Sequence, residues 1–311
     1  MPTGPSSAPL RVSIVGAGCL GSVYAARLAE AVDLTVVTRQ PEGGPLRVGR
    51  DLGGEVQEVT VTRTSAVPAD TELLLLAVRS DQAEAALAAL APAREAVVVS
   101  LTPLLPPTRA RLAATLGDRL VPAMAGVIAY RKGAHVAYYT PRSLPTRLGL
   151  PAERHAAVVR AFLATLDRVG LPTTAPHAEV PGIIAATVVA LLPILLGVPA
   201  AGGSIDAMLA DEVVLKLGLA ATKECRAIAQ RLGALPGFVS LFLSFATPFT
   251  IRAGIKLGRS RAPASIDILE GHFGRHLAPQ NRALVQDVLA LADGHSVDKL
   301  RALATRAGAL P

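Results

Sequence analysis

Short apolar runs alternate with helix-like stretches through the first half of the chain. Arg11–Val15 (RVSIV) and Asp33–Thr38 (DLTVVT) are rich in β-branched residues, and Glu72–Val78 (ELLLLAV) and Ala96–Leu101 (AVVVSL) are apolar almost throughout. Continuous apolar runs of this length are typical of parallel strands covered on both faces. With a helix predicted over Gln82–Leu90, the pattern indicates an α/β fold with a doubly wound parallel sheet.

The pattern changes after the fourth apolar run. Extended pieces around Gly126–Ile128 and Ala134–Tyr139 are predicted to continue the sheet, and Glu153–Val169 is predicted to be a helix. Beyond the proline-bearing stretch Leu171–Pro176 the segments are helical in character, as in Val213–Leu232, and no clear strand follows. We therefore expect a second domain that is all helical.

Gly182–Ala201 carries no charge and is long enough to cross a bilayer. Pro193 lies in its middle, and Gly197 and Pro199 are expected to break its end. We therefore favour a buried helix and its turn over a membrane span, and an oligomer seam remains an alternative.

A glycine pattern follows the first predicted strand. Gly16, Gly18 and Gly21 satisfy G-x-G-x-x-G, with Cys19 and Leu20 between them, and the sequence then becomes helical. In such a turn the first glycine permits a tight bend, the second lets a pyrophosphate approach the backbone, and the third lets helix and strand pack closely. The helix start supplies free N–H groups and a positive dipole end for phosphates. The unit of strand, glycine turn, helix and strand predicts a Rossmann-type dinucleotide site.

The end of the second strand indicates which dinucleotide is preferred. An NAD site usually has an acidic residue there, whereas this chain has Thr38-Arg39, with Arg47 and Arg50 nearby. A guanidinium pairs well with a 2′-phosphate, so NADP(H) is the predicted cofactor and Arg39 its principal contact. A solvated surface arginine is the alternative interpretation of Arg39.

Three segments follow from these patterns. We expect a flexible tail over residues 1–10, a dinucleotide-binding Rossmann domain over residues 11–175, and an all-helical domain for substrate binding and dimerisation over residues 176–311.

The amino-acid composition limits the classes of ligand and partner that are expected. The 311 residues carry a formal net charge of +7 but only 3% aromatic residues and no Trp, so the stacking surface of a single-strand nucleic-acid binder is missing. The positive field favours an anionic small ligand, although a merely basic surface would have the same composition. Two cysteines without metal-ligand spacing, and a start unlike a secretory signal, indicate a reducing cytoplasm and no membrane.

The stretches RVSIVGAGCLGSVYAARLA and LLLLAVRSDQ, Glu224 in KECRAIAQRLG, and APASIDILEGHFGRHLAPQNRAL resemble the ketopantoate reductase family, the 2-dehydropantoate 2-reductases. The resemblance runs from about Arg11 to Leu289. It implies reduction of a ketone by NADPH, a Rossmann domain followed by a helical domain, and a small-molecule substrate, and it is compatible with a homodimer.

The resemblance implies cofactor-binding roles for the residues of this chain that match the family's motifs. The family's Lys-x-x-Gln motif is met by Arg79 and Gln82, which keeps the positive charge. The family's Asn-Gly after the next strand is replaced by Thr102-Pro103, so that contact to the nicotinamide side is altered.

The catalytic positions depart from the family. Ile184 falls where the family has its lysine, Val188 where it has the first asparagine, and Ser265 near its substrate-binding glutamate. Thr250 lies in the segment that replaces an Asn/Ser-rich helix start. Losing a general acid costs a ketone reductase about 10²- to 10⁴-fold, so ketopantoate is not expected to be an efficient substrate.

Four side chains remain as candidates for the missing catalytic groups: His272, His276, Ser265 and Tyr130. The two histidines share a helix face at i, i+4, but without a clear third ligand no metal site is expected, and exposed helix histidines are the alternative. Tyr130 follows an extended piece and could face the cleft, but an exposed loop is the favoured interpretation. Two hypotheses result: an NADP(H)-dependent oxidoreductase for a C=O or C=N bond of a small, relatively apolar molecule, or a non-reducing homologue that binds the dinucleotide or uses the cleft for other chemistry.

Overall fold

A seven-stranded, mainly parallel sheet forms the N-terminal half in the computed structural model, which describes residues 8–51, 54–141, 144–261 and 277–311. The strands are β1 Arg11–Val15, β2 Asp33–Val37, β3 Leu46–Arg50, β4 Val56–Val59, β5 Thr62–Thr64, β6 Leu73–Leu76, β7 Val97–Ser100, β8 Leu120–Met124, β9 Ile128–Lys132, β10 His135–Tyr139 and β11 Arg147–Leu148. The large sheet has the order β11-β8-β7-β6-β1-β2-β5, and only β11 runs antiparallel to its neighbour. The four runs predicted as parallel strands are confirmed, β1 with the predicted bounds and β2, β6 and β7 with slightly shorter ends.

Helices cover both faces of this sheet and fill the C-terminal region. The helices in the described residues are α1 Cys19–Leu28, α2 Ala83–Leu90, α3 Pro106–Leu116, α4 Ala156–Arg168, α5 Val180–Ala200, α6 Ile205–Ala210, α7 Glu212–Leu232, α8 Gly237–Ser244, α9 Pro248–Arg261, α10 Ala278–Ala290 and α11 Asp298–Arg306. Leu28 of α1 and Phe162 of α4 are buried with one face of the sheet, and Leu90 of α2 and Leu112 of α3 with the other. The doubly wound α/β fold with a helical C-terminal region is therefore confirmed.

The extended pieces near residues 126–139 do not continue the large sheet as predicted. β9 and β10 pair antiparallel and join β3 and β4 in a second sheet of order β4-β3-β10-β9, while β8 extends the large sheet instead. The chain leaves β8 through Gly126, where a Cβ would lie 2.5 Å from the Leu144 carbonyl oxygen. This second sheet packs over α1, which is thereby enclosed between two sheets. Tyr24 of α1 is fully buried there, and burial raises the pKa of its hydroxyl to about 12.

α5 is the central helix of the C-terminal region. It packs along α7 and α11. With 21 residues, the helix is long and apolar enough to cross a membrane, by length and composition alone. Within the chain, 67% of its most apolar window is buried, which fits the predicted core helix. The expected break was wrong, because α5 continues through Pro193 and Pro199 as far as Ala200.

The two regions meet through α3 and α10. Leu105, the residue before α3, is buried in the core of the helical region, and the Thr108 hydroxyl donates a 2.6 Å hydrogen bond to the Asp287 carboxylate of α10. Burial raises the pKa of Asp287, and the hydrogen bond from Thr108 and the charge of Arg111 act in the opposite direction. The Arg111 attraction is weak because its side chain is 51% exposed and 3.8 Å away. The cost of desolvating the Asp287 carboxylate therefore outweighs these two favourable interactions, so the charged group lowers the stability of the fold.

Asp287→Asn is expected to raise the midpoint of thermal unfolding by about 2–4 °C at pH 7. The amide still accepts the Thr108 hydrogen bond but carries no charge to desolvate. Because the raised pKa makes the folded wild type hold this proton more tightly than the unfolded chain, the wild type loses stability as the pH rises through that pKa. The difference between variant and wild type, followed by circular dichroism, should shrink as the pH is lowered.

Asp293→Asn is the matched control. This carboxylate is 88% exposed, and the backbone φ of 41° at this position is one that asparagine also adopts. An equal gain from both variants would show that the burial of Asp287 is not the cause.

Candidate functional site

The candidate site lies at the carboxyl ends of β1 and β6. The chain order reverses between these neighbouring strands, since β2 and β5 follow on one side and β7 and β8 on the other. In open parallel sheets, ligands bind outside the carboxyl ends of the strands at this switch point. The glycine turn comes directly after β1 and leads into the first turn of α1.

The geometry requires each glycine of the turn for a different reason. Gly16 has φ +108°, and a Cβ there would lie 2.8 Å from the Ala77 carbonyl oxygen. A Cβ on Gly21 would overlap the Gly16 carbonyl, so no larger residue allows this close packing of α1 on the turn. Gly18 differs, because a Cβ there would meet nothing within 4 Å. Space is therefore open at the glycine that a pyrophosphate would approach.

The start of α1 has the character of an anion site. Gly18 is its N-cap, no side chain among the described residues caps it, and its first turn contains no acidic residue. Cys19 and Leu20 begin the helix and are half-buried against the core. Burial raises the pKa of the Cys19 thiol, and the positive charge of Arg131 on β9 opposes that rise. The uncapped amides and this neighbouring cation both favour a phosphate.

Thr38 and Arg39 follow β2 as the sequence predicts. The Thr38 amide donates to the Thr64 carbonyl of β5, and its hydroxyl accepts from the Gln40 amide at 3.3 Å, which forms a tight turn. Arg39 is exposed in that turn, and no ion pair of its side chain occurs within the part of the chain that the structure describes.

The other two arginines of this region are engaged by the protein. Arg47 pairs with Glu58 at 3.1 Å, and Arg50 donates to the Tyr138 hydroxyl at 3.4 Å. Of Arg39, Arg47 and Arg50, Arg39 is thus the one whose side chain is not bound by another described residue.

Arg79 has a partner that the sequence analysis missed. It lies after β6 and makes two 2.9 Å hydrogen bonds to the carboxylate of Asp81, which raise the pKa of the guanidinium. The Gln82 amide donates to the Arg79 carbonyl, so a 3-10 turn holds the whole motif together. The positive charge of Arg79 is therefore partly neutralised by Asp81 before any ligand binds.

Thr102 is buried at the carboxyl end of β7. Its hydroxyl lies within hydrogen-bonding distance of the Val78 and Leu76 carbonyl oxygens, which ties the ends of β6 and β7 together. Because these carbonyls engage the hydroxyl proton, the side chain offers no free donor to a nicotinamide.

The helix that faces the expected cleft is apolar. Ile184 is 1% exposed, and Val188 is half-buried against the helical core. The polar group that the sequence analysis missed is Thr187, whose buried hydroxyl has no hydrogen-bond partner among the described residues. A threonine hydroxyl can donate one hydrogen bond to an oxyanion, but it does not supply a proton readily at neutral pH.

Two further candidates have structural tasks. Thr250 and Thr247 exchange hydrogen bonds of 2.8 and 3.1 Å at the start of α9, which makes them a helix cap. Tyr130 is buried in the second sheet beside Ala137 and Ile128 and does not line an open loop.

The remaining candidates Ser265, His272 and His276 lie outside the described residues. Within those residues, no group of three or more His, Cys, Asp and Glu side chains could hold a metal ion.

Residues 12–146 match the family model described as ketopantoate reductase PanE/ApbA. No curated protein sequence matches the chain.

Solved structures match over nearly the whole chain. The 2-dehydropantoate 2-reductase of Geobacter metallireducens GS-15 is 20% identical with a TM-score of 0.71, over 96% of this chain and 99% of that one. A D-mandelate dehydrogenase bound to NADH and anilino(oxo)acetate is 12% identical with a TM-score of 0.69, over 96% and 98%. The dimeric ketopantoate reductase of Staphylococcus aureus is 13% identical with a TM-score of 0.64, over 95% and 97%. The chain therefore has the ketopantoate reductase fold.

Proposed function

We propose that this chain, whose residues 12–146 match the ketopantoate reductase family, is an NADP(H)-dependent oxidoreductase that reduces a C=O or C=N bond of a small, relatively apolar substrate. The observation that carries the proposal is the uncapped start of α1 beside the open space at Gly18. The fold accommodates a nicotinamide dinucleotide, since the similar D-mandelate dehydrogenase contains NADH.

The chain's own residues fit this cofactor. The amides that open α1 would receive the pyrophosphate, and Arg39 the 2′-phosphate of the adenine ribose. The nicotinamide end of the cofactor would extend along the carboxyl ends of β6 and β7, past Gln82 and Thr102, towards α5. When bound, the cofactor supplies hydride at that end.

The lining of α5 indicates the substrate class. Hydride delivery to a carbonyl builds negative charge on oxygen, which a nearby proton donor or cation must neutralise. Ile184 is buried and Val188 is apolar, so α5 offers neither group at these positions. An apolar substrate packs against such a surface better than ketopantoate does. An iminium needs no proton donor there, because hydride addition converts it to a neutral amine.

Activity is tested by following NADPH consumption at the near-ultraviolet absorbance of the reduced nicotinamide. We expect turnover with apolar ketones or cyclic imines, and a kcat/KM for ketopantoate at least about 100-fold below that of the best substrate. A ketopantoate rate equal to the best would contradict the inferred substrate class.

The alternative is a non-reducing homologue, favoured by the burial of Ile184 where the family has its lysine. It predicts NADPH binding without consumption across the whole panel of 2-oxo acids, ketones and imines. Binding and turnover must therefore be measured on the same preparation.

Assembly and location are also proposals. A homodimer is supported by the dimeric state named for the Staphylococcus aureus structure, and the burial of α5 indicates that another surface forms any interface. Both cysteines, Cys19 and Cys225, are unpaired, which suits a reducing cytoplasm.

A further inference from the structure

Arg63 is brought to the end of β2 by sheet pairing. It lies on β5, where its partner in the parallel register is Val36, two residues before Thr38. Its Nη2 donates to the carbonyl of Gly44, in the loop that leads from β2 to β3. Its Nη1 and the carbonyl oxygen of Gln40 both lie within 4 Å of the point where a Cβ of Gly43 would stand. The guanidinium is therefore beside the residue that follows Arg39.

Arg63 and Arg39 differ from their neighbours in charge balance. Arg47, on β3 of the second sheet, is neutralised by Glu58, whereas no ion pair of Arg63 or Arg39 is present in residues 8–51, 54–141, 144–261 and 277–311. One bond of Arg63 goes to a neutral carbonyl, and a guanidinium has five N–H donors. Among the described residues, Arg39 and Arg63 are thus two cations without an ion pair near the end of β2, with donors remaining on both.

We propose that Arg63 is a second determinant of NADP(H) preference, which contacts the 2′-phosphate together with Arg39. The inference rests on the proposed function and assigns a further residue to that site. A phosphate monoester carries a charge of about −1.5 to −2 near neutral pH, so one guanidinium leaves part of that charge uncompensated. The Gly44 carbonyl fixes the side chain in place, so little side-chain entropy is lost when the phosphate binds.

The test compares the Kd values of NADPH and NADH for the wild type, Arg63→Ala and Arg63→Lys, measured by titration of nucleotide fluorescence. Loss of one charge-assisted contact predicts that Arg63→Ala raises the Kd of NADPH about 10- to 100-fold. The Kd of NADH, which lacks the 2′-phosphate, should stay within about threefold. Arg63→Lys keeps the charge without the planar fork and should give an intermediate NADPH value.

Arg47→Ala is the matched control, because it removes the same charge from β3 in the second sheet, where Glu58 already neutralises it. Its NADPH affinity should stay within about twofold of wild type. An equal loss of NADPH and NADH affinity in Arg63→Ala, or an unchanged ratio, overturns the assignment while leaving the dinucleotide site intact. A wild type that binds neither nucleotide overturns the proposed function itself.

Discussion

Gly18→Asp is expected to raise the Kd for NADPH about 100-fold or more in a chain that still folds. The carboxylate would enter the open space at the start of α1 and accept hydrogen bonds from the same amides that the pyrophosphate needs. It would also repel the two phosphates directly. Each charge-assisted hydrogen bond lost is worth about 1.5–3 kcal/mol, so losing two suffices for this effect.

The thermal stability of the Gly18→Asp variant should not fall with its NADPH affinity. Gly18 has φ −71° and ψ −172°, which any residue adopts, and aspartate is a better N-cap than glycine by a few tenths of a kcal/mol. The midpoint of thermal unfolding should therefore be unchanged or slightly raised, while isothermal titration calorimetry detects no NADPH binding. Gly18→Ala adds a methyl group without charge and separates bulk from repulsion. Retained NADPH affinity in Gly18→Asp would contradict the cofactor site.

Arg39→Asp is expected to reverse the nucleotide preference. It removes the guanidinium offered to the 2′-phosphate and puts a carboxylate at the position where NAD-preferring sites accept bonds from the ribose hydroxyls. We expect the Kd of NADPH to rise about 100-fold, with the Kd of NADH equal to or below that of wild type. The ratio of the two Kd values is the decisive measurement, because it cancels effects on folding.

Arg94→Asp controls for the reversal of charge. Arg94 is exposed and precedes the amino end of β7, at the end of the sheet opposite the glycine turn. Its exchange for aspartate therefore changes the net charge equally without meeting the cofactor. A Kd ratio that stays constant in Arg39→Asp would assign Arg39 to the solvated surface.

The sequence predicts the parts of the fold that depend on continuous apolar patterns. β1, β6 and β7 are buried along their whole length or nearly so, and a run of apolar residues is the direct signature of that burial. The glycine turn is predictable for a similar reason, since its backbone geometry tolerates few other residues.

Two of the missed strands lack this signature. β4 (VQEV) is largely exposed and β5 (TRT) has no apolar residue, so neither differs from a loop in hydrophobic periodicity. Both are strands because a neighbour offers them a ladder of backbone hydrogen bonds. Arg63 could not be assigned for the same reason, because only the pairing of β5 with β2 brings it near Arg39.

The candidate site was predictable only in part. Arg39 follows from its place after β2, but the bonds of Arg79 to Asp81 and of Thr102 to the ends of β6 and β7 depend on local backbone geometry. The continuation of α5 through Pro193 shows that packing against α7 and α11 outweighs the local preference of proline.

The enclosure of α1 between two sheets has a consequence for engineering this cofactor site. The connection that leaves β2 carries Arg39 and then supplies β3 and β4, which belong to the sheet that covers α1. Grafting a loop of different length between Val37 and Leu46 would therefore shift the cover of the phosphate-binding helix. Nucleotide preference in this chain is best redesigned by exchanging single side chains, with the length of the connection left as it is.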